Sequence, residues 1–210
     1  MNRPDLRLYL VLGAADCRGR DVCEVAAAAV AGGATVVQLR EKGLEAAEYA
    51  DRARALLEVL CPRGVPLIVN DRPDVARAAG ADGVHLGRDD AHWSRARDEL
   101  GPAALLGLTV KTLDEARQAR LAGADYVGLG PIAASRTKPD AGPRLDEARF
   151  RALAAAAGRP AVAIGGVDPA QARRAVAWGA AGVAVVGAVC AVDDPCAAAR
   201  ELRRAVDEGL

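Results

Sequence analysis

The chain has 210 residues, 51% of them apolar and only 3% aromatic, so a single domain with a core of alanine, valine and leucine is expected. Its 28 basic and 28 acidic residues cancel, which argues against nucleic acid or a charged membrane surface as partner. Two histidines exclude a histidine-rich metal site, and no apolar run is long enough to span a membrane. Five cysteines, odd in number and without a CxxC pair, read as reduced thiols of a cytoplasmic protein.

The first apolar run, 8–12, follows Arg7 and resembles the apolar part of a leader, but it soon meets Asp16 and reads better as a strand. Seven similar runs follow at 35–39, 66–69, 82–86, 104–108, 125–129, 161–164 and 181–186. Between them the apolar positions recur at helical spacing, as in Ala47, Ala50, Ala53, Leu56, Leu57 and Leu60. A Gly-Ala pair precedes four of the runs, at Gly33, Gly80, Gly123 and Gly179, and fits helix C-caps. Eight strand–helix units predict a (β/α)8 TIM barrel occupying 1–210 as one domain. A doubly wound open sheet would have equally apolar strands, but the count and the strict alternation favour the barrel. The longest irregular stretch, 130–145, is of a length that in a compact barrel is usually functional.

In such a barrel the chemistry sits at the C-terminal strand ends. Those ends carry Gln38, Arg40 and Lys42, then Asn70 and Asp71, then 85–90, Thr109 to Lys111, 130–138, the Gly165-Gly166 pair and Gly187. Charge at the end of a buried strand is costly unless a ligand meets it. Among 28 basic residues only Lys42, Lys111 and Lys138 are lysine, so a compact point charge is wanted at some of these places. Arg40, Lys42 and Lys138 suit an anion of higher charge than a monophosphate, and Asp71 and Asp90 are hard oxygen donors suited to Mg²⁺. Together they suggest a diphosphate. Thr109, Ser135 and Thr137 offer hydroxyls to phosphate oxygens. The glycines after the seventh and eighth strands suit a phosphate cradle, or merely tight turns. Asp89 is a neighbour that could substitute for Asp90 or simply be solvated, His85 reads as a hydrogen-bonded structural residue, His92 as surface, Trp93 and Trp178 as packing, and Lys111 as a solvated residue near a helix start.

Over essentially its whole length the chain resembles the thiamine-phosphate synthase family. The resemblance rests on Gln38-Leu39-Arg40-Glu41-Lys42, Val69-Asn70-Asp71, the segment 82–90, the segment 126–132, Thr137-Lys138 and 164–167. It implies a transferase that joins a hydroxymethylpyrimidine diphosphate to a thiazole phosphate and releases pyrophosphate. It implies that Gln38, Arg40, Lys42, Asn70, Thr109 and Lys138 hold the diphosphate substrate, with Leu39 and Glu41 in the same run. It also implies that Asp71 and Asp90 bind Mg²⁺, and that Ser135, Arg136, Thr137, Gly166, Val186 and Gly187 line the thiazole phosphate site. Lys138, Arg40, Lys42 and Thr109 are the expected catalytic group. The chain departs from the family pattern at Thr109, where serine is usual, at Ala134-Ser135 for Pro-Thr, at Arg88 for glutamine and at Gly187 for serine. The hydroxyls survive at 109 and 135, whereas Gly187 keeps only its backbone N–H. A thiazole tautomerase shares the first motif but generally lacks Asp90 and the Thr137-Lys138 pair. Sugar-phosphate epimerases and indole-forming synthases need acid and base groups not evident here, and a non-catalytic phosphate-binding barrel would bind without turnover. Small-molecule partners are expected, with self-association left open.

Overall fold

Residues 4–87, 93–134 and 142–210 are described by the structure, a computed structural model. Eight parallel strands close into a barrel: β1 (Leu8–Leu12), β2 (Val36–Leu39), β3 (Leu67–Asn70), β4 (Gly83–Leu86), β5 (Leu105–Val110), β6 (Tyr126–Leu129), β7 (Ala161–Ile164) and β8 (Gly182–Val185). Each strand pairs with its successor, and β8 returns to β1 with Val183 beside Leu8 and Val185 beside Leu10. Closure rules out the open doubly wound sheet and leaves none of these eight strands with an open edge. Outside the barrel run α1 (Val22–Ala31), α2 (Ala46–Leu60), α3 (Pro73–Ala79), α4 (Trp93–Leu100), α5 (Leu113–Leu121), α6 (Glu147–Ala157) and α7 (Pro169–Ala177). A single turn, α8 (Gly187–Cys190), and a longer helix, α9 (Pro195–Asp207), complete the order.

Alternation along each strand divides the core in two. Leu8, Leu10 and Leu12 of β1 point outward with Val37, Leu67, Val84, Leu106, Val127 and Val183 into the layer beneath the helices. Alanines such as Ala26, Ala53, Ala119 and Ala175 fill the helix side of that layer, so small side chains bring the helices close to the sheet. Tyr9, Val11, Val36, Ile68, Tyr126, Val162 and Ala184 form the separate cluster inside the barrel. Phe150, the one phenylalanine, packs on Trp178 with ring centroids 5.9 Å apart.

The repeated Gly-Ala pair has a mechanical explanation. Gly33, Gly80, Gly123 and Gly179 all have positive φ, between 71° and 109°. The alanine after each donates its N–H to a carbonyl five residues earlier: Ala34 to Ala29, Ala81 to Ala76, Ala124 to Ala119 and Ala180 to Ala175. That is the Schellman closure, which ends a helix and sends the chain into a strand. The residue after two of these pairs adds a second tie. Asp82 accepts the Leu67 N–H at 2.8 Å, and Asp125 accepts the Leu106 N–H at 2.8 Å while holding Arg97 at 2.7 Å. Both carboxylates therefore pin the start of a neighbouring strand, the first residue of β3 and the second of β5, at the N-terminal face of the barrel, opposite the expected site. Among the described residues no helix is long and apolar enough to cross a membrane.

Candidate active site

The C-terminal strand ends converge on one mouth of the barrel. Gln38 is the penultimate residue of β2, followed by Leu39 and then the loop residues Arg40, Glu41 and Lys42. Asn70 ends β3, Asp71 follows it, and Thr109 is the penultimate residue of β5. Gly166 follows β7, and Val186 and Gly187 lead from β8 into α8. Asp90, Ser135, Arg136, Thr137 and Lys138 lie outside the described residues, as do Arg88, Asp89 and His92. The structure thus brings five of the expected strand ends to the same face and is silent on the 88–92 and 135–141 segments.

Not every residue of the Gln38 to Lys42 run faces the mouth. Leu39 is fully buried against the helices, so only its backbone is available to a ligand. Glu41 accepts hydrogen bonds from Arg52 at 2.5 Å and from the Ala14 N–H at 2.9 Å, and its side chain is 7% exposed. Its carboxylate is thereby committed to joining the β1–α1 loop to α2 around the backbone that carries Arg40 and Lys42. Arg40 is half-buried and Lys42 is exposed at the rim. Asp16, in the turn after β1, has its carboxyl pKa raised by burial, against which the Arg40 guanidinium acts.

Asp71 has φ of 62°, one of two non-glycine residues with positive φ among those described. Aspartate tolerates this left-handed conformation better than most residues, and such strain concentrates at functional sites. The Asp71 N–H donates to the His85 carbonyl at 2.9 Å, which fixes the turn at the end of β3 to β4. Tyr49 on α2 serves both neighbouring strand ends. Its hydroxyl lies 2.8 Å from the Leu39 carbonyl and 3.3 Å from the Asn70 carbonyl, and it accepts from the Glu41 N–H at 3.4 Å. Burial pushes its pKa up to about 12, so it remains a neutral hydroxyl under ordinary conditions.

Beneath the mouth the barrel interior is polar along one line. Gln38, 4% exposed, is the buried polar side chain among the described residues. Its Nε2 donates to the Tyr9 hydroxyl at 2.8 Å, and that hydroxyl is 2.7 Å from the hydroxyl of Tyr126. Tyr126 is in turn 3.2 Å from His85 Nδ1, and His85 Nε2 is 2.9 Å from Thr109 Oγ1. His85 is therefore hydrogen-bonded through both ring nitrogens. Burial raises the pKa of both tyrosines well above normal, so both stay protonated. Room for these side chains comes from two glycines. A Cβ on Gly107 would lie 2.1 Å from Tyr126 Cζ and 2.6 Å from His85 Nδ1, and one on Gly128 would lie 3.2 Å from His85 Cε1.

The Gly165-Gly166 pair answers first to local packing. Both have positive φ, 95° and 66°, and a Cβ on Gly166 would meet the Ala134 carbonyl oxygen at 2.3 Å. The start of the 130–145 loop docks there, with the Ile132 N–H donating to Ile164 and the Ala133 N–H to Gly165. After the pair, Asp168 caps α7 by accepting the Gln171 N–H at 2.7 Å, with Pro169 in the first turn. Sequence reasoning gave no role at the site to Tyr9, Tyr49, Tyr126 or Asp16, although Tyr126 opens the 126–132 segment. For Tyr9 and Tyr49 the signal was a tyrosine in a chain with three tyrosines and 3% aromatics.

Among the described residues no group of three or more His, Cys, Asp or Glu forms a closed metal cage. One carboxylate at a strand end, completed by a second carboxylate and by substrate phosphates, is instead the arrangement that suits Mg²⁺. All five cysteines are free.

The family described as Thiamine monophosphate synthase matches residues 8–189. A thiamine-phosphate synthase of Chloroflexus aurantiacus is 48% identical over 202 residues, covering 96% of this chain and 93% of that protein. One of Albidiferax ferrireducens is 45% identical over 202 residues, covering 96% and 92%. The solved structure of a thiamine phosphate pyrophosphorylase from Pyrococcus furiosus superimposes with a TM-score of 0.89 at 33% identity, covering 99% of this chain and 98% of that one. A 3-hexulose-6-phosphate synthase, at 21% identity and a TM-score of 0.71, shares the fold alone.

Proposed function

We propose, for a chain that belongs to the thiamine monophosphate synthase family, that it condenses hydroxymethylpyrimidine diphosphate with thiazole phosphate, or its carboxylated form, to give thiamine phosphate and pyrophosphate. Transferase activity follows from the family. The observation that carries the finer reading is the convergence of Gln38, Arg40, Lys42, Asn70, Asp71 and Thr109, from three strands, on one barrel mouth.

In the proposed reaction the carbon–oxygen bond between the pyrimidine methylene and the diphosphate breaks, and its electron pair leaves with pyrophosphate. The electron-rich aminopyrimidine shares the resulting positive charge, and the thiazole nitrogen then forms the new carbon–nitrogen bond. Arg40, Lys42 and Lys138 supply positive charge where the leaving group becomes more anionic. Thr109 donates its hydroxyl to the same group, and Gln38 and Asn70 orient the pyrimidine. Asp71 and Asp90 would hold Mg²⁺, which supplies Lewis-acid charge to the diphosphate when bound. Ser135, Arg136, Thr137, Gly166, Val186 and Gly187 would take the thiazole phosphate. No protein nucleophile or strong base is needed, so catalysis is positioning and electrostatics. The free thiols accord with a cytoplasmic location.

The test is product formation from both substrates with Mg²⁺, with single-substrate and EDTA controls, for the natural chain and Lys138→Ala. Metal-dependent thiamine phosphate, and a large fall in kcat for a folded Lys138→Ala, are expected. Unchanged steady-state kinetics in that variant would refute the role assigned to Lys138. Absence of product from the folded natural chain would refute the synthase reading.

A further inference from the structure

Two residues at the mouth, Gln38 and Thr109, stand on opposite sides of the chain of hydrogen bonds that crosses the barrel interior. Its three inner members, Tyr9, Tyr126 and His85, come from β1, β6 and β4. Tyr9 and Tyr126 are 2% and 1% exposed, so their hydroxyls must be satisfied by protein groups. Such a row can carry its protons in only one of two senses. Gln38 settles which, because its Nε2 donates to Tyr9.

With that bond made, the Tyr9 hydroxyl accepts from Gln38 and has its own proton to give, and the nearby acceptor is the Tyr126 oxygen. Tyr126 then donates to His85 Nδ1, which must be the unprotonated nitrogen of a neutral imidazole. The proton on Nε2 is donated to Thr109 Oγ1, and the hydroxyl hydrogen of Thr109 is left to point away from the histidine. The opposite sense would have Tyr9 accept from both Gln38 and Tyr126 and leave its proton without an acceptor in a buried position. One end of the row therefore presents the Gln38 carbonyl oxygen, an acceptor. The other presents the Thr109 hydroxyl, a donor.

We infer that Tyr9, Tyr126 and His85 are positioning residues: a buried relay that fixes Gln38 with its carbonyl, and Thr109 with its hydroxyl hydrogen, turned toward the pyrimidine diphosphate. This rests on the functional reading above. An acceptor at Gln38 matches the amino substituent of the pyrimidine, and a donor at Thr109 matches a phosphate oxygen. Without the relay, both ends would be free to rotate and each would offer the wrong polarity part of the time. The bond to Tyr9 occupies the Gln38 amide nitrogen and leaves its carbonyl oxygen for the substrate.

The relay has a signature that mere packing lacks. Cutting it at Tyr9 or at Tyr126 should have the same consequence, and cutting it twice should add little. We would measure steady-state kinetics for the natural chain, Tyr9→Phe, Tyr126→Phe and the double variant, varying each substrate in turn. Each single variant is expected to raise KM for the pyrimidine diphosphate about tenfold, the value of one hydrogen bond. KM for thiazole phosphate should stay within about twofold, and the double variant should resemble the singles. Circular dichroism establishes that each variant is folded. If one tyrosine variant does not fold, His85→Leu, which removes both ring nitrogens from the row, provides the second cut with the same selective effect expected. Equal losses for both substrates, or single effects that multiply in the double variant, would overturn the relay while leaving the synthase reading intact. A natural chain that folds but makes no thiamine phosphate would overturn the reading, and the relay with it.

Discussion

Gly107 and Gly128 offer a graded test of the barrel interior. Both lie in strands and both make room for buried ring systems, but by different margins. An alanine Cβ at 107 would fall 2.1 Å from Tyr126 Cζ, 2.2 Å from its hydroxyl oxygen and 2.6 Å from His85 Nδ1. Such contacts cannot be absorbed in place, and Tyr126 has no solvent side to retreat to, being 1% exposed. Overpacking of this severity costs about 3 kcal/mol, the upper part of the usual range. For a chain of this length that corresponds to a fall in Tm of about 6–12 °C. At 128 the nearest atom is His85 Cε1 at 3.2 Å, a contact that a shift of a few tenths of an ångström relieves. Gly128→Ala also restricts the unfolded chain, a gain of about 0.4–1 kcal/mol that offsets the crowding. Its Tm should stay within about 3 °C of the parent. Thermal unfolding followed by circular dichroism reads both values directly. A Gly107→Ala variant as stable as Gly128→Ala would refute the claim that these glycines exist to seat Tyr126 and His85.

Three further outcomes follow from the same geometry. Asp71→Asn keeps a residue tolerant of the left-handed backbone, so it should fold normally, while its turnover falls by about two orders of magnitude or more through loss of metal charge; kinetics at raised Mg²⁺ beside a melting curve would check both halves. Glu41→Ala strips the Arg52 guanidinium and the Ala14 N–H of a largely buried acceptor and should cost about 2 kcal/mol, read by denaturant unfolding. Asp5 has its pKa held below the ordinary 3.8, chiefly by its hydrogen bond from Arg7. A depressed carboxyl stabilises the fold above its unfolded pKa and loses that contribution as the pH falls through its folded value. The stability gap between the natural chain and Asp5→Asn should therefore be present at neutral pH and shrink as the pH falls through the lowered folded value of the carboxyl; a gap unchanged in strong acid would contradict the pairing.

The barrel was legible because its signals are local and repeated. Eight apolar runs fall on the eight strands, 8–12 and 161–164 at both ends and the others with ends shifted by at most two residues, as for 104–108 against Leu105–Val110. The Gly-Ala pairs are readable as helix ends because the Schellman geometry requires a left-handed residue at a fixed place. The charged strand ends, such as Asn70-Asp71, were legible because polarity abruptly follows a buried run. The interior relay was not. Tyr9 and Tyr126 are 117 residues apart, and each sits in a strand where a tyrosine reads equally well as core. Only closure of the barrel brings their hydroxyls together. Glu41 shows the converse: its place within a charged run suggested a ligand, whereas its carboxylate is turned to Arg52 and Ala14. The purpose of Gly107 and Gly128 appears only against the side chains they accommodate.

The most direct test of the central claim is a phosphorus NMR time course of the folded chain with pyrimidine diphosphate, thiazole phosphate and Mg²⁺, followed by excess EDTA. The account predicts that pyrophosphate and thiamine phosphate accumulate in equal amounts and that both stop when the metal is removed. Release of inorganic phosphate in place of pyrophosphate, product that continues to form in EDTA, or no product at all would contradict it.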